Sequence, residues 1–153
     1  MKPRSDLGVF RRGERISTLG VFDLTGFIDW YMITGTFKAV DFLDAVEEVV
    51  LLHVNPFPGP RSVVILDNAT VHKRQSFVDA IHAKGAIVLW TPPYCWHLNP
   101  IEEGFGCVRQ RLMRNKHLLS WPGTGGMRGL LAMAFASVSP ARARSCYHHV
   151  GYL

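Results

Sequence analysis

Two acidic residues, each at the end of a predicted element, constrain this chain more than any other feature. The apolar run at residues 63–66, Val-Val-Ile-Leu, is typical of a buried strand, and Asp67 directly follows it. Glu102 follows a proline-rich turn at the start of a predicted helix, and 34 residues separate it from Asp67. Carboxylates at such positions can share divalent metal ions that hold a phosphodiester for in-line attack. The pair therefore indicates phosphodiester cleavage or transfer.

Length and composition indicate one globular domain. The chain has 153 residues, of which 48% are hydrophobic and 19% charged. No apolar run reaches the roughly 18 residues of a membrane helix, and the first residues lack the apolar core of a signal peptide. Three cysteines form no Cys-x-x-Cys pair, which favours reduced thiols. We therefore expect no membrane association and a nuclear or cytoplasmic protein that is not secreted.

The net charge of +5 suits a polyanionic partner without requiring one. Basic residues cluster beside both acidic positions, and such residues can contact DNA phosphates in a salt-dependent, largely sequence-independent manner. A solvated helix face is an equally good interpretation of each cluster. The candidates for DNA binding are Lys73, Arg74, Arg109, Arg111 and Arg114.

Hydrophobic periodicity and turn signals predict eight elements. A hairpin with strands over 15–23 and 28–34 precedes a helix over 38–53 whose N-cap is Thr36. Buried strands over 62–66 and 86–90 flank a helix over 73–83 that stops at Gly85. Further helices are predicted over 100–114, where Pro100 fits the first turn, and over 127–137. The alternation predicts an α/β fold.

Two sequence blocks resemble the catalytic domain of DDE transposases of the mariner and bacterial insertion-sequence superfamily. Residues 64–72 read Val-Ile-Leu-Asp-Asn-Ala-Thr-Val-His, which is similar to the family's second acidic block. Residues 92–102 read Pro-Pro-Tyr-Cys-Trp-His-Leu-Asn-Pro-Ile-Glu, where the family has Ser-Pro in place of Cys95-Trp96. The 34-residue spacing also matches the family. The resemblance covers roughly residues 11 to 115.

This resemblance implies a fold, a site and partners. The fold is an RNase H-like mixed sheet flanked by helices, formed here by residues 15–120 between a basic, loose segment 1–14 and a C-terminal helix and tail 121–153. Asp67 and Glu102 would be the catalytic and metal-binding acids, with Mg²⁺ or Mn²⁺ as the ion. Asn68, His72 and Asn99 would support the active site, although ordinary turn and capping chemistry explains them equally well. The partner would be DNA, both transposon ends and target.

The chain departs from the family at its N-terminus. The family uses three acids, and the first follows an apolar strand before the Arg11-Arg12-Gly13 block. Here only Asp6 precedes that block, and it comes before the apolar residues rather than after them. The helix-turn-helix region that reads transposon ends is also absent. We therefore expect an N-terminally truncated copy with little or no strand cleavage; the alternative is a non-catalytic DNA-binding or interaction remnant of a transposable element.

The missing first strand has a structural consequence. In the RNase H-like sheet it lies between the hairpin and the strand that ends at Asp67. Without it, both neighbours expose unpaired edges that invite pairing with another chain. We expect either that residues 5–10 fill part of the slot, or that the domain is unstable or self-associates.

Overall fold

A hairpin opens the described part of the chain. The computed structural model describes residues 15–68 and 75–153. Strands β1 (Ile16–Asp23) and β2 (Gly26–Thr34) pair antiparallel, with a register shift between Val21 and Phe22. The connection is shorter than the predicted turn over 24–27, because the Asp23 carboxylate accepts bonds from the backbone N–H and hydroxyl of Thr25. Gly26 follows at φ 124°, a conformation that favours glycine.

Helix α1 (Ala39–Ala45) continues as a π-helical segment, Val46–Val50, so the predicted long helix is divided in two. The predicted N-cap at Thr36 is wrong. The N-cap residue is Lys38, whose backbone N–H donates to the Asp41 carboxylate at 2.9 Å. This local bond satisfies an amide of the first turn and sets where the helix begins.

A second, parallel sheet follows. Strands β3 (Val63–Leu66) and β4 (Ile87–Trp90) pair with Val63 opposite Ile87 and Leu66 opposite Trp90. Helix α2 (Gln75–Ala83) connects them and ends two residues before Gly85, as predicted; its predicted first residues lie outside the described ranges. The first core cluster consists of Phe42, Val46, Val49, Val50, Leu66, Phe77, Ile81 and Ala86.

The expectation that both strands of the second sheet are buried is wrong. Val64 and Val88 pack against the first core cluster, whereas Val63, Ile87 and Leu89 are exposed. Because successive side chains of a strand point to opposite faces, this pattern describes a sheet covered on one face only. Apolar residues therefore remain on the outer face of β3 and β4.

The two sheets are separate ladders among the described residues. Residues 5–10, the predicted occupant of the slot between them, lie outside the described ranges. Side chains from both sheets nevertheless pack against the first core cluster, including Leu19 and Tyr31 of the hairpin and Val64 of β3. The predicted α/β class is confirmed. The described residues form a mixed α/β domain with two small sheets and helices packed against them.

The C-terminal half builds a second core on the hairpin. Helix α3 (Pro100–Arg114) has the predicted bounds, and α4 (Gly126–Ala136) lies within one residue of its prediction at each end. Phe27 of the hairpin contacts Phe105 of α3 and Phe135 of α4, with ring centroids 5.4 and 4.7 Å away. Two short 3₁₀ turns, Trp96–Leu98 and Lys116–Ser120, flank α3.

Helix α5 (Pro140–His149) was not predicted, since the sequence interpretation assigned only one helix and a tail to residues 121–153. A capping signal was present: the Ser139 hydroxyl accepts the Arg142 N–H at 3.2 Å, and Pro140 occupies the first helical position. Tyr147 fastens the helix to the hairpin by donating to the Phe22 carbonyl at 2.9 Å. Within the described ranges, every helix is too short or too polar to cross a membrane.

Candidate active site

Asp67 is held at the carboxyl end of β3 by bonds on both sides. The carbonyl of Leu66, the preceding residue, accepts the Thr91 N–H at 2.8 Å. On the other side, the side-chain amide of Asn68 donates to the Thr91 carbonyl. Thr91 directly follows β4 and is buried. The parallel strands therefore end together, and their exit loops are fastened to each other around a half-buried Asp67.

Glu102 is fixed in the first turn of α3. Buried Asn99 is the N-cap residue, and its side-chain oxygen accepts the Ile101 N–H at 3.3 Å. The Asn99 carbonyl accepts the Glu102 N–H at 3.1 Å, and Pro100 begins the helix. An acidic residue in the first helical turn also interacts favourably with the helix dipole. Asn68 and Asn99 therefore each position the loop or helix end that carries an acidic residue.

The surroundings of the Glu102 carboxyl disfavour its ionised form. Burial is the main cause that raises the pKa of Glu102, and the negative charge of Asp67 raises it further. The guanidinium of Arg109 acts in the opposite direction. Two partly buried acids that repel each other are stabilised when a cation enters between or beside them.

The donor chemistry of this pair fits a hard divalent ion. Carboxylate oxygens suit Mg²⁺ and Mn²⁺, and Mg²⁺ is commonly held by one or two carboxylates together with substrate phosphate. In residues 15–68 and 75–153, no group of three or more His, Cys, Asp or Glu residues is arranged to hold a metal. Asp6, the upstream acid weighed from the sequence, lies outside these ranges. Asp67 and Glu102 are the residues that would hold such an ion.

Two other acids near the hairpin turn have different partners. Asp23 forms an ion pair with Arg61 at 3.2 Å, and Asp29 contacts the ring of His53 at 2.9 Å. Glu103, the neighbour of Glu102, contacts His149 of α5 at 3.2 Å. The Asn-Pro-Ile-Glu pattern selected Glu102 rather than Glu103. In the structure the charge of Asp67 raises the pKa of Glu102, whereas Glu103 links α3 to α5.

The predicted basic residues do not share one surface. His72, Lys73 and Arg74 lie outside the described ranges. Arg109 is seven residues after Glu102, close to two helical turns, so both lie on one side of α3. Arg111 is nine residues after Glu102, about half a turn further round, and therefore lies on the opposite side. Arg114 is exposed near the end of the helix.

Two open grooves meet beside the carboxylates. The Asp67 groove, of about 360 Å³, is lined by residues that include Asp67, Asn68, Thr91, Tyr94 and Trp96. The Glu102 groove, of about 290 Å³, is lined by residues that include Trp96, Glu102, Cys107, Arg109 and Arg142. Trp96 thus lines both grooves, and each groove contains one acid of the pair.

Arg142 is a site residue that the sequence interpretation missed. Its Nε donates to the Cys107 sulfur at 3.1 Å, and this contact is the main cause that raises the pKa of Arg142. The residue belongs to α5, the helix that was not predicted, and it reaches the groove only because α5 packs against α3. The sequence signal available was the Ser139-Pro140 start of that helix, which would have placed Arg142 in its first turn.

An α/β domain with two acids beside arginine-lined grooves is an arrangement also found in metal-dependent enzymes that act on phosphodiesters. The family model described as DDE superfamily endonuclease matches residues 3–120. The chain belongs to this family. No protein with curated annotation matches the chain. This family is one of nuclease- or transposase-type enzymes, which points to DNA as the partner and to divalent ions as the class of metal.

Proposed function

We propose that this chain is a transposase domain of the mariner and insertion-sequence type, and that Asp67 and Glu102 are its second and third acids. The grooves that contain the two motif carboxylates share Trp96, and this observation carries the proposal. The charge of Asp67 also raises the pKa of Glu102, although 34 residues separate the two acids in sequence. The reaction would be DNA strand cleavage and transfer during transposition. Mg²⁺ or Mn²⁺ would be held by the two carboxylates.

The residues of the chain have distinct parts in this reaction. A bound divalent ion supplies Lewis-acid activation of a phosphodiester and of the attacking water or 3′-hydroxyl. Glu102 must be ionised to act as a ligand, and neighbouring Arg109 favours that ionised form. Asn68 and Asn99 position the two ligands through the bonds to Thr91 and Ile101.

We infer that the 153-residue chain by itself cleaves DNA weakly or not at all. Two carboxylates leave an ion more weakly bound than the family's three, and no third acid joins them in the described part of the chain. The same observation favours the second candidate function, a non-catalytic DNA-binding or interaction remnant of a transposable element. Either function would be exercised where DNA is found, in a nucleus or in a bacterial cytoplasm.

We also propose that the chain self-associates through its second sheet. Val63, Ile87 and Leu89 expose apolar surface on one face of β3 and β4, and such patches commonly mark contact sites. The edge strands of two-stranded sheets offer unpaired backbone groups to another chain. A monomer at all concentrations in sedimentation experiments would contradict this part of the proposal.

Calorimetric titration with Mn²⁺ and Mg²⁺ tests the metal site. The protein is compared with the Asp67→Asn, Glu102→Gln double variant and with a matched control, Glu103→Gln, which removes the adjacent carboxylate. We expect weak, saturable binding that the double variant loses and the control retains. Equal binding by all three proteins would show that the pair does not hold the ion.

A nicking assay on supercoiled DNA separates the two candidate functions. DNA binding without Mn²⁺-dependent nicking supports the non-catalytic candidate. Nicking that disappears in the double variant but persists in Glu103→Gln supports an active enzyme and contradicts the inferred weakness of the chain.

A further inference from the structure

Two aromatic rings stand in solvent beside the acidic pair. Tyr94 is 98% exposed and Trp96 is 64% exposed. Both belong to the loop between β4 and α3, which carries Asp67-groove residues at its start and the N-cap of α3 at its end. Large aromatic side chains lose favourable burial when left in water, so a pair of them at a site suggests a ligand that covers them.

The loop holds these rings in place through its own backbone bonds. The Cys95 N–H donates to the Pro92 carbonyl at 3.1 Å, and the Asn99 N–H donates to the Trp96 carbonyl at 3.0 Å. Pro92 and Pro93 restrict the entry to the loop. Tyr94 has φ 60°, a conformation that non-glycine residues seldom adopt. The loop backbone that carries both rings is therefore ordered.

The surroundings of the rings are complementary to a nucleic acid strand. Trp96 lines both the Asp67 groove and the Glu102 groove, each of which contains one of the two acids. Arg109 and Arg142 line the Glu102 groove and offer cations to phosphates. Trp96 also stands where the family motif has proline, so this ring is a property of this chain.

We propose that Tyr94 and Trp96 form a stacking platform that holds unpaired bases of single-stranded DNA beside the acidic pair. Arg109 and Arg142 contact the backbone of the same strand. The identification of the strand as DNA rests on the proposed function; the platform itself rests on the exposed rings and the arginines. Aromatic stacking with every base type is favourable, so the binding is tolerant of sequence and depends on salt.

A single strand fits these grooves better than a duplex does. In a duplex the faces of the bases are covered by their neighbours, and unstacking one base costs a few kcal/mol. An unpaired base has no such cost, and both grooves are open to solvent. The platform therefore selects frayed or single-stranded ends over intact double helix.

Fluorescence anisotropy of a labelled oligothymidylate on the full chain tests the platform. The titration is performed with a chelator, so that a failure of the metal site does not affect it. We expect Trp96→Ala to weaken binding about 5- to 150-fold, the loss of one stacked base, with a smaller loss for Trp96→Phe. The matched control is Trp121→Ala, which removes a 67% exposed tryptophan of the 3₁₀ region after α3. Thermal melts check that each variant is folded.

The outcomes separate this inference from the proposed function. Equal affinity of Trp96→Ala and Trp121→Ala, preference for duplex over single strand, or no binding by the unaltered chain would each overturn the platform. Mn²⁺ binding lost in the Asp67→Asn, Glu102→Gln variant would still stand in those cases. Conversely, Trp96-dependent binding with no metal site would refute the proposed function alone.

Discussion

Phe135 of α4 is the side chain on which the second core depends most. It is 2% exposed, and its ring contacts Trp30 at a centroid distance of 5.3 Å and Phe105 of α3 at 6.1 Å, besides its contact with Phe27. Replacing Phe135 by alanine empties the space between the hairpin, α3 and α4. We predict a large loss of stability from this one substitution.

The magnitude follows from the buried area and the cavity. A buried aromatic side chain removes about 150–250 Å² from water, equivalent to about 4–6 kcal/mol at 25 cal/mol per Å². Alanine retains part of that burial, and measured Phe→Ala substitutions in cores cost about 3–5 kcal/mol. Since domains are stable by only about 5–15 kcal/mol, Phe135→Ala should remove about a fifth of the free energy of unfolding or more.

Urea unfolding followed by tryptophan fluorescence measures this loss, because Trp30 stacks directly on Phe135. The control is Met133→Ala, an exposed position of the same helix, which should change the free energy of unfolding by at most about 0.5 kcal/mol. A loss in Phe135→Ala below about 1 kcal/mol, or equal to that of Met133→Ala, would refute the packing of α4 against the hairpin and α3.

Two further predictions concern ionisable groups. In the metal-free protein, Glu102→Gln should increase the free energy of unfolding at neutral pH by about 0.2–1 kcal/mol, because burial and the charge of Asp67 raise the pKa of Glu102 and so penalise its ionised form. The gain should vanish well below pH 4.5, because Glu102 is then protonated in both the folded and the unfolded chain. Unfolding curves at neutral and at acidic pH check this. A gain in the free energy of unfolding that persists in acid would contradict the prediction. Burial and the neighbouring Cys107 raise the pKa of the Cys146 thiol, so a thiol reagent should label Cys95 and Cys107 in the native protein and Cys146 only after unfolding. Mass mapping that finds Cys146 labelled as fast as Cys95 would contradict the packing of α5 on α3.

The sequence predicted most of the elements because their local signals agree with their packing. Pro100 and Asn99 mark the start of α3, where the Asn99 side chain accepts the Ile101 N–H. Gly85, with a positive φ, marks the end of α2. The prediction of Thr36 as the N-cap was wrong because the Asp41 carboxylate accepts the backbone N–H of Lys38. The sequence pattern alone does not decide between two such nearby residues.

Burial of the second sheet could not be predicted from its composition. An apolar strand has the same sequence whether one face or both are covered, and only the position of the surrounding helices decides. Ile87 and Leu89 are exposed although their neighbour Val88 packs in the core. The same limit applies to α5: its surface is mostly arginine and histidine, so hydrophobic periodicity is weak and the signal lies in Ser139 and Pro140 alone.

The candidate acids could be predicted because they lie at element ends, where local sequence determines position. Asp67 follows an apolar strand and Glu102 follows a helix cap, so each is located by its own neighbours. Arg142 and the exposure of Trp96 depend on contacts between distant segments. These features were therefore visible only after the chain was folded.

Helix α3 links the stability of the domain to the site. Phe105 and Val108 lie on its core side, packed with α4 and the hairpin, while Glu102 and Arg109 face the groove. The residues that match the family end at 120, yet the side chains that fix the core side of α3 include Phe135, and the cation across the groove is Arg142. The position of Glu102 relative to Asp67 therefore depends on helices beyond the matched segment. A domain cut at residue 120 would keep both motif acids and lose the packing that holds one of them in place.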